Sequence, residues 1–177
     1  MLIGHGVLIS HAEEEVKNLA EKADIPVAST LHGLSAFSTN HRLYKGMLGM
    51  HGNYAPNILT NSADVLIAVG MRFDDRVTGE VSKYAKNAKI IHIDIDPAEF
   101  NKNISVDVEI LGDAKNSLLV LEKLVKKSTH SEWLKIFDTY EKQEYTKVIE
   151  KETSLNKEKI TMAAVVNLLS KMTKGEA

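Results

Sequence analysis

Val65-Leu-Ile-Ala-Val-Gly-Met-Arg-Phe-Asp-Asp-Arg76 decides the fold. Five consecutive apolar residues end abruptly at Gly70, too few for a membrane span. Such a run predicts a strand buried on both sheet faces, which requires helices on both sides. The pattern recurs outward from it. Ile90-Ile-His-Ile-Asp-Ile95 is a second run, closed by Asp96-Pro97, and Val106–Leu111 is a third. Nearer the start, Leu2-Ile3 leads into Gly4-His-Gly6, read as a short strand entering a tight turn. Ile25-Pro-Val-Ala-Ser29 is strand-like, with its proline at the strand start, where a missing N–H is tolerated.

Helical spacing fills the gaps. Ala12–Ala23 places acids in its first turn and sets Val16, Leu19, Ala20 and Ala23 three and four apart, with Ser10 as the expected N-cap. Tyr54–Asn61 reads as a short helix with Pro56 in its first turn. Ala114–Lys127 carries Leu118, Leu121, Leu124 and Val125 along one side. This βαβ rhythm predicts an α/β fold with a doubly wound parallel sheet and right-handed crossovers.

The 177 residues carry a net charge of -2 and no cysteine. That excludes a disulfide scaffold, thiolate metal sites and a cysteine nucleophile, and it favours a cytosolic setting. No basic face is available for nucleic acid or an anionic membrane, and no signal-peptide pattern opens the chain. Nine of the ten glycines and all three prolines precede residue 127, whereas ten of the nineteen residues from Glu141 to Lys159 are charged. The expected organisation is therefore a compact domain over 1–127 and a polar, helical tail over 128–177.

A doubly wound sheet binds ligands beyond the carboxyl ends of its strands. The segments in those places are Gly4-His-Gly6, Thr30-Leu-His-Gly33, Gly70–Arg76, Asp94-Ile-Asp96 and Gly112-Asp-Ala114. The first fails the dinucleotide fingerprint, because position 9 is Ile9 rather than glycine. It is either a turn pair or a pyrophosphate cradle. Arg72-Phe-Asp-Asp-Arg76 groups two cations and two anions, as an ion-paired turn or as guanidinium forks facing phosphate oxygens. Leu48-Gly-Met-His-Gly52 combines two glycines, a soft methionine face and a histidine donor, suited to a planar ligand or to an ordinary loop. His92, inside a strand, reads as structural. The histidines show no metal spacing, no P-loop occurs, and Ser35, Ser38 and Ser62 lie in no nucleophile elbow.

Leu48-Gly-Met-His-Gly52, Gly70-Met-Arg-Phe-Asp-Asp-Arg-Val-Thr-Gly79 and Ile91-His-Ile-Asp-Ile-Asp-Pro-Ala-Glu99 together resemble the catalytic large subunits of acetolactate synthase, also called acetohydroxyacid synthase. Ile25–Gly33 and Gly112-Asp-Ala114 follow in the family's order. The resemblance covers about residues 2–127 and implies the family's central FAD-binding domain of six parallel strands. It implies FAD contacts from His5, Thr30, Leu31, Leu48, Gly49, Met50, His51, Gly70, Met71, Arg72, Phe73, Asp74, Asp94, Ile95, Asp113 and Ala114. Relatives commonly have glycine at the place of His5. Met50, Asp75 and Arg76 match positions that approach the family's substrate channel.

The resemblance implies further that the whole enzyme decarboxylates pyruvate on thiamine diphosphate and Mg²⁺. The two-carbon remnant is then joined to a second 2-oxo acid in branched-chain amino-acid biosynthesis. The family's diphosphate motif begins G-D-G and closes on paired asparagines. Here Gly112-Asp113 is followed by Ala114, and no Asn-Asn pair occurs. The expectation is a middle domain that binds a structural FAD and is inactive alone. Implied partners are further large subunits, as a homodimer or tetramer, and a regulatory small subunit, in the cytoplasm. A freestanding electron-transfer flavin module and a ligand-free structural domain are the alternatives.

Overall fold

In the computed structural model, residues 1–155 and 160–174 are described, and the chain divides into two compact units, Met1–Asp138 and Thr139–Ala177. The first unit is built on β1 Leu2–Ile3, β2 Val27–Ser29, β3 Tyr44–Met47, β4 Val65–Val69, β5 Lys89–Asp94 and β6 Val108–Leu111. All pairings are parallel, in the order β3-β2-β1-β4-β5-β6. This is the doubly wound α/β class expected from the apolar runs.

Alternation along each strand divides the core into two layers. Ile3, Ile67, Val69 and Ile93 face one layer, packed with Val7, Val16, Leu19 and Leu118. These last four come from α1 (His5–Ile9), α2 (Glu13–Ala23) and α5 (Ala114–Leu124). Leu2, Leu66, Ala68 and Ile90 face the other, against Leu48, Met71, Phe73 and Tyr84. Each large side chain buried this way contributes about 1.5–3 kcal/mol.

Five local expectations are corrected. The turn expected at Gly4–Gly6 is the start of α1. Ser10 does not cap α2; it ends α1, its hydroxyl donating to the Gly6 carbonyl oxygen (2.8 Å), and α2 begins after Ala12 without a side-chain cap. The second strand begins at Val27, because the Ile25 N–H still donates to Ala20 O in closing the preceding helix (3.0 Å). β3 lies in a stretch where no strand is expected. Its Tyr-Lys-Gly-Met sequence has no apolar run, and Lys45 is buried there with its ammonium 3.0 Å from Asp138. The helix expected to reach Lys127 stops at Leu124.

The second unit is helical, with a π-helical turn over Tyr145–Ile149, α7 (Glu150–Thr153) and α8 (Met162–Met172). Between α5 and these lie α6 (Ser131–Glu144). Thr161 caps α8, accepting from the Ala164 N–H (3.0 Å) while its hydroxyl donates to the Glu152 carbonyl. The charged tract continues into residues 156–159, which, with 175–177, lie outside the described residues.

Candidate functional site

Strand order reverses between β1 and β4, and the register Ile3↔Val69 sets the loops after them side by side. Such a sheet has its ligand crevice there. A Cβ on Gly6 would lie 2.6 Å from Gly70 Cα, so only glycine lets the two backbones touch. The Gly6 N–H donates to Gly70 O at 2.9 Å. That amide, a candidate for pyrophosphate, is engaged inside the protein.

The segment after β4 is anchored on both sides of one cation. Met71 and Phe73 are buried, and between them Arg72 is 65% exposed. The Met71 carbonyl accepts from His92 Nε2 (2.9 Å) and the Phe73 carbonyl from Asn103 Nδ2 (2.9 Å), so the backbone flanking Arg72 is fixed. Asp74 caps α4 (Asp75–Thr78), its Oδ1 accepting from the Arg76 N–H at 3.1 Å. Its Oδ2 lies 3.3 Å from Arg72 Nη2. This pair is open to solvent and worth at most about 1 kcal/mol. Asp75 and Arg76 are exposed and 3.9 Å apart.

The loop after β3 meets this segment. The Met50 N–H donates to Arg76 O (2.7 Å), and Leu48 is buried with its N–H on Ser29 O (2.9 Å). Met50 and His51 are exposed. A cavity of about 350 Å³ opens beside them, lined by Met50, Asn57, Asp75, Arg76, Thr78 and Tyr84 among others. The Tyr84 hydroxyl is buried without a hydrogen-bond partner, and burial drives its acidity well below that of an ordinary phenol.

The remaining expected residues lie on the same edge, because each follows the carboxyl end of a parallel strand. Thr30 accepts from the Gly33 N–H (3.2 Å), and Leu31 projects beside it, exposed. Exposed His5 meets the His32 carbonyl through Nδ1 (3.1 Å). Asp94 accepts from the Asp96 N–H (2.9 Å), leaving Ile95 exposed. Asp113 caps α5 by accepting from the Asn116 N–H (3.0 Å), and Ala114 is buried. His92 is fully buried between the edges of Phe73 and Phe100, a structural place. Asn57, Asn103 and Tyr84 were not indicated by the sequence, since each serves backbone or core and belongs to no motif. Among the described residues, no group of three or more histidines, aspartates or glutamates is placed to hold a metal ion.

Residues 1–124 match the model of the thiamine pyrophosphate enzyme central domain. The chain belongs to that family. Its relatives include the probable acetolactate synthase large subunit of Methanococcus aeolicus, 46% identical over 160 residues, covering 90% of this chain and 26% of that protein. Acetolactate synthase isozyme 3 large subunit of Escherichia coli K12 is 39% identical over 177 residues, 99% of this chain and 31% of that protein. The Methanocaldococcus jannaschii probable large subunit is 55% identical over 118 residues, 67% of this chain and 20% of that protein. This thiamine pyrophosphate enzyme central domain thus spans about a third or less of the relatives it matches. No helix among its described residues is long and apolar enough to cross a membrane.

Proposed function

We propose that this domain holds FAD along its carboxyl edge, as the middle part of an acetolactate synthase large subunit. The observation that carries the reading is chemical. Leu31 (62% exposed), Met50 (61%) and Ile95 (72%) stand open on the edge that also presents the exposed guanidinium of Arg72, whose flanking backbone is fixed. Exposed apolar side chains gathered at one edge mark a surface made to be covered. Flat apolar rings joined through a diphosphate fit that combination.

In this reading Arg72 meets the diphosphate, assisted by the backbone of Gly70–Asp74. Thr30, Leu31 and Leu48–His51 flank the flavin and its ribityl chain, with His5 at the margin. Asp94, Ile95, Asp113 and Ala114 bracket the adenosine, where a carboxylate oxygen can accept from a ribose hydroxyl. FAD bound there braces the edge and takes no net part in electron transfer. Met50, Asp75 and Arg76 border the path of the 2-oxo acids.

Thiamine diphosphate and Mg²⁺ do not fit these residues: Asp113 is occupied as a helix cap and is followed by Ala114. Their sites belong to other parts of the whole protein. That protein would join decarboxylated pyruvate to a second pyruvate or 2-oxobutanoate in the cytoplasm, as an oligomer of large subunits with a regulatory small subunit.

The test is a chimera in which these 177 residues replace their counterpart in the E. coli isozyme 3 large subunit. Given pyruvate, thiamine diphosphate, Mg²⁺ and FAD, the chimera should form acetolactate, and the 177-residue chain alone should form none. An FAD-independent chimera, or activity from the chain alone, contradicts the reading.

A further inference from the structure

We propose that Asn57 is a positioning residue that fixes the Gly49–Met50 backbone on the carboxyl edge; the proposal rests on the FAD reading above. Asn57 lies in α3 (Tyr54–Thr60) and projects its amide at a single peptide residue. Its Oδ1 accepts from the Gly49 N–H at 2.8 Å, and its Nδ2 donates to the Gly49 carbonyl at 2.9 Å. One primary amide thereby bonds both backbone groups of a buried residue, which an ionised carboxylate of that reach, having no donor, cannot do.

The sheet cannot supply these bonds. Leu48 makes the last contact with β2, and at Gly49 the chain turns out of the ladder at φ +103. Beyond Gly49 the Met50 N–H reaches Arg76 O at 2.7 Å, and a Cβ on Gly49 would lie 2.6 Å from that same oxygen. The peptide is therefore held between the Asn57 amide and the Arg76 carbonyl. Asn57 is itself braced, its own carbonyl accepting from Asn61 Nδ2 (3.1 Å), while Asn61 Oδ1 accepts from the Ala85 N–H (2.8 Å). The exposed Met50 side chain leaves this clamp at a set angle beside Arg76. Without the amide, the buried Gly49 N–H loses its partner, the Gly49 carbonyl is left with the Gly52 N–H alone (2.9 Å), and the loop gains freedom that bound FAD must remove.

Amide hydrogen exchange on the 177-residue chain, paired with FAD titration by flavin fluorescence, tests the proposal. In Asn57→Ala the Met50 amide should exchange at least about tenfold faster while Ile67 and Val69 are unchanged. FAD affinity should fall by about tenfold. Asn57→Asp should match this at neutral pH and recover towards wild type on acidification, when the carboxyl regains a donor; Asn57→Ala should not recover. Leu59→Ala, a core truncation in the same helix, should lower stability and keep FAD affinity within about twofold. Unchanged Met50 exchange in Asn57→Ala overturns the proposal, as does equal loss of FAD affinity in Leu59→Ala. A wild-type chain that takes up no FAD at millimolar concentration overturns the cofactor reading and the proposal with it. Wild-type binding that Asn57→Ala retains in full overturns the proposal alone.

Discussion

At the amino edge of the sheet, Pro56, Leu59, Trp133 and Phe137 help to line a largely apolar cavity of about 240 Å³ beside the buried Lys45. At the carboxyl edge, Leu31, Met50 and Ile95 stand exposed around an anchored arginine. The amino edge is closed by the chain itself. Lys45 pairs with Asp138, Ser128 Oγ donates to Ala23 O (2.9 Å), and the His130 N–H donates to Asp24 Oδ2 (2.7 Å). Arg42 completes that cluster at 2.7 Å from Asp24 Oδ1. These polar groups are paired within the fold. At the carboxyl edge the fold fixes backbone and leaves side chains uncovered. Polar groups paired within the fold therefore mark where the segment after α5 packs back, whereas uncovered side chains on fixed backbone mark the ligand edge.

The harshest challenge to this contrast is Gly70→Val. Its side chain would enter the space of the Gly6 backbone at a residue with φ +54, so both loops must move. A stability loss of about 3 kcal/mol or more is expected in urea unfolding. A loss below about 1 kcal/mol would mean that the crevice is not built on that contact.

Arg72→Ala should split stability from binding. The Arg72–Asp74 pair is exposed, so unfolding free energy should change by less than about 1 kcal/mol. FAD binding should lose about 1.5–3 kcal/mol, one to two decades in affinity by calorimetry. A large stability loss with unchanged FAD affinity would make Arg72 structural and dissolve the contrast.

Asp24→Asn should do the reverse, costing about 1–2 kcal/mol of stability with FAD affinity unchanged. The Asp24 carboxyl is held below its ordinary value of 3.8, first by the His130 N–H and then by Arg42. A lowered carboxyl stabilises the folded state above its ordinary value, and that contribution disappears as pH falls through the lowered one. The gap between wild type and Asp24→Asn should thus be widest near neutral pH and close below about pH 4 in unfolding titrations. A gap that widens on acidification would give Asp24 the opposite role.

Legibility in the sequence followed the same division. β4 and β5 were readable because strands covered on both faces leave uninterrupted apolar runs. β3 was not, since it replaces such a run with Lys45, paired across the fold, and with Gly46 at φ +97. The helix at His5–Ile9 was hidden by the two glycines around His5, which read as a turn until Gly70 is seen against them. At the site, Arg72 and Asp74 announced themselves by charge density after a buried strand. Asn57 and Asn103 did not, because an amide that serves a distant carbonyl or peptide leaves no local pattern. Motifs reveal the groups that meet a ligand; the groups that hold those in place emerge only with the fold.

The most direct test of the carboxyl edge as the ligand edge is an FAD titration of the 177-residue chain followed by backbone amide chemical shifts. Shifts concentrated at residues 30–31, 48–51, 70–74, 94–95 and 113–114 are the result this account predicts. Shifts concentrated instead around Val27, Ala28, Leu66, Trp133 and Phe137 at the amino edge would contradict it.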